Sequence, residues 1–499
     1  MTVLSTTEKV DAETGATPTT PNNWKQLDWK KCQREVMRLQ VRIAKATEEN
    51  KWNKVKALQH LLTRSFSAKA LAVKRVTSNK GRKTSGIDHQ LWQSTNSKMN
   101  AIKKLRHHGY KPQPLRRVYI SKGTGGKLRP LGIPTMKDRA MQALWQLALE
   151  PVAETIGDSN SYGFRAKRST ADAIEQCFCC LAKRNSAQWI LEGDIQGCFD
   201  NINHEWLLEN IFMSKNILRK WLKVGFQEKH AWFPTENGTP QGGIISPLLA
   251  NLTLDGMEKA VKESVGATPN ARKPAKVNFI RYADDFIVTG VSEEVLQQKV
   301  KPAIEKFLAQ RGLTLSSEKT RITQVQKGFD FLGQNIRKYG DKLLIKPSKK
   351  SIKALKLKLQ LIIKQNISVP QALLIHLLNP IIRGWGNYHR HVVSSVAFSK
   401  IDHWLWRKVW RWAKRRHPNK NNGWIRTKYF HRIQSREWMF ANVKGDRATL
   451  YKMSDIKIRR HKKILNQANP YLPTWSSYFK HRSDMNNSKN VTQSVKKGC

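Results

Sequence analysis

Apolar residues recur along this chain at two spacings, and the switches between them divide it into regions. From residue 24 to 76 the spacing is helical. Val36, Leu39 and Ile43, then Val55, Leu58, Leu61 and Leu62, stand among lysines and arginines and predict two basic amphipathic helices. Ser78 to Asp88 is a Gly/Ser/Lys-rich loop. Arg117 to Ile120 reads as a short strand, and Ser121 to Pro130 has the composition of a hairpin turn. Pro134 to Glu150 predicts a helix with Met141, Leu144, Leu147 and Ala148 on one face.

Further on, Trp189 to Leu191 is a short apolar strand ending at Gly193-Asp194. A helix follows, with Asn203 placed to cap it. Val277 to Arg281 and Phe286 to Thr289 are strands joined through Tyr282-Ala283-Asp284-Asp285. Ser292 to Arg311 is helical and closes at Gly312; Phe329 to Leu332 is a final strand. The order strand, helix, strand, turn, strand, helix, strand fits a ferredoxin-like antiparallel sheet backed by two helices. Beyond Lys346 the pattern is helical again, with Ile352, Leu355, Leu359 and Ile362 on one face, then Trp404, Trp406, Trp410 and Trp412 among cations.

Charge changes the picture. The 499 residues hold 90 Lys and Arg against 37 Asp and Glu, a net +53. Such a chain repels itself unless an anionic partner neutralises it, and nucleic acid releases counterions when it does so. A solvated basic surface is the plainer alternative. The 39% hydrophobic content and 17 Trp point to folded domains; only Ser5 to Pro21 and the last fifteen or so residues read as disordered. Length asks for more than one domain. Cys177, Cys179 and Cys180 lack a second ligand pair at zinc spacing and read as a buried helix face. No apolar run is long enough to span a membrane, and no signal core opens the chain, so a cytoplasmic protein with free thiols is expected.

The candidate chemistry lies in three carboxylates. Asp194 ends one strand, and Asp284 and Asp285 sit on the turn between two others; neighbouring strands would bring them together. Asp-rich turns are common, but they prefer polar flanks, whereas Phe279, Ile280, Phe286, Ile287 and Val288 press in here. Three converging carboxylates need cations. Mg²⁺ takes hard oxygen ligands and is completed by substrate phosphates, and two such ions suit transfer of a nucleotide to a hydroxyl.

Tyr282-Ala283-Asp284-Asp285 resembles the YxDD box of reverse transcriptases, in the form typical of group II intron enzymes. Leu191 to Ile195 with Phe199-Asp200 resembles the family's first carboxylate motif. Arg129 to Thr135 with Asp138-Arg139-Ala140 and Gln142 resembles its fingers block, Ser161 to Arg165 with Arg168-Ser169-Thr170 its GFR block, and Thr239 to Gly243 with Ser246-Pro247 its PQG block. Gly328 to Gly333 resembles the primer-grip hairpin, and Asn379 to His389 the maturase signature. The ordered set extends over about residues 24 to 480 and identifies a bacterial-type group II intron-encoded reverse transcriptase and maturase.

The resemblance implies an α+β right-hand polymerase, with fingers and ferredoxin-like palm followed by an all-helical thumb and maturase region. Expected bounds are a basic helical extension at 24–88, fingers and palm at 89–345, thumb and maturase at 346–440 and a basic DNA-binding segment at 441–485; residues 1–23 and 486–499 are disordered. It assigns Asp194, Asp284 and Asp285, with Ile195 beside them, to two Mg²⁺ ions. Lys122 and Arg129, flanking Gly123 to Gly126, would hold the dNTP triphosphate; a plain hairpin is the other reading. Ile195 and Gln241 contact the nucleotide, and Phe199 crowds its sugar. Lys319 is placed as proton donor to pyrophosphate, against a merely solvated lysine.

Arg165, Arg168, Arg383, Lys414, Arg415, Arg416, Arg459 and Arg460 are placed on nucleic acid, and His389 is read as structural. Implied partners are group II intron RNA in a ribonucleoprotein, an RNA template with DNA primer, dNTPs and target DNA. Asn469 to Trp475 resembles the stretch before an HNH endonuclease, but no nuclease residues follow, so another primer source is expected, such as a nascent strand at a replication fork. A non-catalytic maturase and a host-domesticated enzyme are the alternatives. A viral RNA polymerase fits Phe199 and the YADD turn poorly.

Overall fold

The computed structural model describes residues 23–121, 128–229 and 231–484. The chain forms two compact units: Met1–Val152 with Phe212–Glu236 and Pro240–Ser246, and Ala153–Ile211 with Asn237–Thr239 and Pro247–Cys499. The disorder expected for both chain ends lies almost wholly outside the described residues, as do Lys122 and the Gly123 to Gly126 tip.

In the first unit the basic extension holds three helices rather than two: Trp29–Glu48, Trp52–Arg64 and Phe66–Ser78. The extra break falls at Ser65, whose backbone is extended and whose side chain caps the third helix by accepting from Ala68 N. Val36, Ile43, Val55, Leu58 and Leu62 are buried as the spacing predicts, but Leu61 stands on the solvent side. Strands Leu115–Ser121 and Leu128–Ile133 form the expected antiparallel hairpin. Two short strands, Phe226–Glu228 and Ala231–Phe233, extend its sheet.

The second unit is built on a four-stranded antiparallel sheet in the spatial order Asn278–Tyr282, Asp285–Gly290, Trp189–Gly193, Arg321–Gln324. Counted along the chain this is second, third, first, fourth, the order of a ferredoxin-like β-α-β-β-α-β unit. Residues 286 to 290 are all buried, so the central strand is covered on both faces. Ile174, Cys177 and Leu181 of helix Thr170–Leu181 join Ile190, Ile280 and Ile287 in one core; of the cysteine cluster Cys177 is buried, Cys180 half-buried and Cys179 exposed.

The fourth strand corrects the sequence reading. It is Arg321–Gln324, not Phe329 to Leu332. After Gly328, at φ +83°, the chain turns away, and Phe329–Phe331 starts a separate sheet with Gln334–Tyr339 and Lys342–Pro347. Phe329 and Phe331 are apolar because they plug the core below that sheet. The true edge strand is polar and gives no alternating signal.

Helices Lys349–Gln365, Gln371–His389 and Ser395–Arg416 follow, packed through Leu355 and Leu359, Leu378 and Ile382, and Ile401, Leu405 and Trp412. Trp404, Trp406 and Trp410 pack against this core. The helical run ends at Tyr429. A three-stranded sheet of Phe430–Ile433, Arg436–Asn442 and Ala448–Thr449 then departs from the all-helical expectation. No helix among the described residues is long and apolar enough to cross a membrane.

Candidate active site

Asp194 directly follows the strand Trp189–Gly193, whose last position has room only for glycine. A Cβ on Gly193 would lie 2.1 Å from the ring of Phe286 on the neighbouring strand. The YADD turn joins Tyr282 and Asp285, which face each other at the end of the hairpin. It turns through Ala283 in the left-handed region, at φ +59°.

That turn is braced from below. Arg281 is fully buried, pairs with Asp255, and donates to Asn251 Oδ1 at 3.1 Å and to the Ala283 carbonyl at 3.4 Å. Tyr162 N donates to the Arg281 carbonyl, and Arg281 N to that of Asn160, each at 2.9 Å. A Cβ on Gly163 would lie 2.4 Å from Ala283 N, so the 160–163 strap runs directly against the turn. Removing the guanidinium would leave Asp255 buried without its cation. Arg281→Leu is therefore expected to destabilise the chain by about 3–5 kcal/mol. Denaturant unfolding measures this, and adding Asp255→Leu should restore part of the loss.

Arg165 and Arg168 belong to the same bracing. Their side chains are 6% and 2% exposed and hold Glu154 at 2.9 and 3.1 Å. They do not face nucleic acid as the sequence suggested; burial of Glu154 claims both. The signal overlooked was Glu154 itself, a buried acid near the end of helix Met136–Ile156.

The carboxylates feel one another. Asp285 reaches solvent, yet partial desolvation, then the charges of Asp284 and Asp194, push its carboxyl up to about 6. Lys319 Nζ donates to Asp194 Oδ2 at 2.7 Å. That bond, and behind it the other two aspartates, holds the ammonium above the usual lysine range. Lys319 is delivered by its loop: Ser316 N donates to the Asp194 carbonyl at 2.8 Å. Burial, then Asp284, drive the nearby Cys198 thiol up to about 12, so it stays protonated.

Among the described residues no group of three or more His, Cys, Asp or Glu is arranged to hold a metal ion as it stands. Like charges without a cation repel, and Lys319 is the counter-ion available to Asp194. The donor set still fits a hard divalent cation: carboxylate oxygens whose mutual repulsion such an ion would relieve. Ile195, next to Asp194, is buried, 3% exposed. Phe199 is half-buried on the short helix Cys198–Asn201, and its carbonyl accepts from Thr239 N at 2.6 Å.

In the first unit the fingers and PQG blocks clamp each other. Gly132 N donates to the Gln241 carbonyl at 2.7 Å, and Ile244 N to Gln142 Oε1 at 2.8 Å. Asp138 accepts from Tyr110 and Thr135 hydroxyls, each at 2.7 Å. Arg129 is exposed on its strand.

In the helical region the signature residues are largely structural. His389 is buried between Gln334 Oε1 at 3.0 Å and Ser351 Oγ at 3.2 Å, and burial pushes it down to about 3. Asn379 pins Thr449 and Tyr451. Arg383 is exposed, 4.8 Å from the centre of the Tyr451 ring. Lys414 and Arg415 are exposed, but Arg416 is half-buried and donates to the Ile367 and Val369 carbonyls. Arg460 holds Glu175 at 2.9 Å.

Residues 120–336 match the family described as reverse transcriptase (RNA-dependent DNA polymerase). Residues 24–105 match its N-terminal domain, and 352–430 the group II intron maturase-specific domain. Over 294 residues the chain is 34% identical to the group II intron-encoded protein LtrA of Lactococcus lactis subsp. cremoris, covering 47% of this chain and 48% of that one. It thus spans about half the length of that relative. It is 33% identical to protein YkfC of Escherichia coli strain K12, covering 46% of this chain and 68% of YkfC. A solved telomerase structure from Candida tropicalis aligns at a TM-score of 0.36 and 16% identity, over 46% of this chain and 54% of that one, too low a likeness to argue from. With the three matched regions in order along the chain, and YkfC covered over two thirds of its length, the chain belongs to the family of group II intron-encoded reverse transcriptases and maturases.

Proposed function

We propose that the chain is an RNA-directed DNA polymerase that copies group II intron RNA into DNA, and that it binds the same RNA as a maturase. One observation carries the polymerase reading: Asp194, Asp284 and Asp285 lie within electrostatic reach at the ends of adjacent strands, with Lys319 on Asp194. Asp194, Asp284, Asp285 and the Ile195 carbonyl would hold two Mg²⁺ ions. When bound, such ions supply Lewis acidity and lower the pKa of a primer hydroxyl. Lys319 keeps its proton while on Asp194 and stands as donor to the leaving pyrophosphate. Arg129 and Lys122 neutralise the triphosphate, and Gln241 contacts the nucleotide. Lys414, Arg415 and Arg383 meet RNA, and Arg459 and Arg460 belong to a second nucleic-acid-binding segment.

Primer extension on poly(rA) with an oligo(dT) primer tests the reading. DNA synthesis with Mg²⁺ and none with chelator is expected; no synthesis under any divalent cation would leave a maturase that only folds RNA. That second reading draws on one observation, the Lys319 ion pair occupying Asp194.

Two outcomes follow from the site. Phe199→Ala should admit ribonucleotides, seen as rNTP incorporation in the same assay; unchanged dNTP/rNTP discrimination would reject the sugar-crowding role. Asp285 must be ionised to bind a cation. Below about pH 6 it takes up a proton, so cation affinity should fall by up to about tenfold per pH unit there and level off above. Mn²⁺ titration followed by electron paramagnetic resonance measures this. Asp284→Asn should shift the break to lower pH.

A further inference from the structure

The second unit holds a cavity of about 440 Å³, outside the carboxylate cluster. Its wall combines the end of helix Gln371–His389, the turn after it, and the segment from Arg459 to Arg482. No carboxylate lines it, while six Lys and Arg do. Three of those cations are already engaged. Arg482 is held by Asp172 at 2.7 Å, Arg460 by Glu175 at 2.9 Å, and Lys463 by Gln176 and Asn466. The side chains of Arg390, Arg459 and Lys462 make no ion pair or hydrogen bond among the described residues.

Two further features narrow the ligand. His391 Nε2 is buried in the wall with no hydrogen-bond partner. A buried polar atom left so is costly unless something completes it. The ring of Tyr388 also lines the cavity, and that residue is 39% exposed. Unspent cations and a partly exposed tyrosine beside a buried, unpartnered imidazole nitrogen are what a base with its phosphate engages. The volume lies near the small end of the ~300–1,000 Å³ range of ligand pockets. A duplex presents only its backbone to a hollow of this size; a single extruded nucleotide can enter.

We infer that this cavity receives one unpaired nucleotide of bound RNA, its phosphate on Arg390, Arg459 and Lys462 and its base against Tyr388 and His391. This rests on the RNA-binding reading above. It goes further by naming an unpaired nucleotide as the feature recognised.

The test compares three RNAs on the full chain: a perfect duplex, the same duplex with one bulged nucleotide, and the same with an abasic bulge. Wild type should bind the bulged RNA about tenfold more tightly than the other two. Arg390→Ala with Arg459→Ala should erase that preference and leave thermal unfolding unchanged. If the double variant fails to fold, Lys462→Glu, at an exposed position, is expected to cut the preference at least threefold. Equal binding of all three RNAs by wild type overturns the inference alone, as does a preference that survives the substitutions. An abasic bulge bound as tightly as the complete one overturns it in favour of a bare phosphate site. Binding of none of the three overturns the RNA reading and the inference with it.

Discussion

An Asp284→Asn variant is expected to lose primer extension by about 10³-fold or more while retaining intron splicing. The substitution keeps the shape of the turn and removes one charge. A cation site built from carboxylates then loses a ligand, and several kcal/mol of charge stabilisation go with it. About 4 kcal/mol corresponds to a thousandfold in rate. Splicing should survive because the matched maturase region, 352–430, packs mainly around a core that neither Asp284 nor Asp285 joins. Measured side by side, primer extension and splicing separate the two roles. Equal loss of both would mean that polymerase and maturase functions are not separate.

The second large effect is expected at Lys319, in a form that splits two quantities. Lys319→Ala should lower the rate of nucleotide addition by about 10²–10⁴-fold, the range of a lost proton donor. The same change should tighten divalent-cation binding, because the ammonium 2.7 Å from Asp194 competes for that carboxylate. Rate and half-saturating Mg²⁺ would therefore both fall. A solvated lysine with no part in the reaction predicts no change in rate. A lysine that only holds Asp194 in place predicts weaker cation binding.

How much of this was legible in the sequence varies with where each residue's signal comes from. The palm order could be read because Trp189 to Leu191, Phe279-Ile280 and Phe286 to Val288 are short apolar runs bounded by polar residues. The fourth strand could not: Arg321–Gln324 is a polar edge, while the more apolar Phe329–Phe331 serves a different sheet. The sheet after Tyr429 was hidden because Met439, Phe440 and Ala441 are buried consecutively, without the alternation that marks a half-exposed strand. At the site, the three aspartates were visible by type and position. The support beneath them was not. Arg165, Arg168 and Arg281 look like surface cations in one dimension, and only folding sets them against Glu154 and Asp255.

The contact between Gly163 and Ala283 limits how this palm can be recombined. The two segments are more than a hundred positions apart, yet their backbones touch with no room for a methyl group. A chimera that imported the 278–290 hairpin from a distant relative would inherit a tip shaped for another seat. The transplantable piece is the hairpin together with its 160–163 strap, and any borrowed strap must present glycine where the two chains meet.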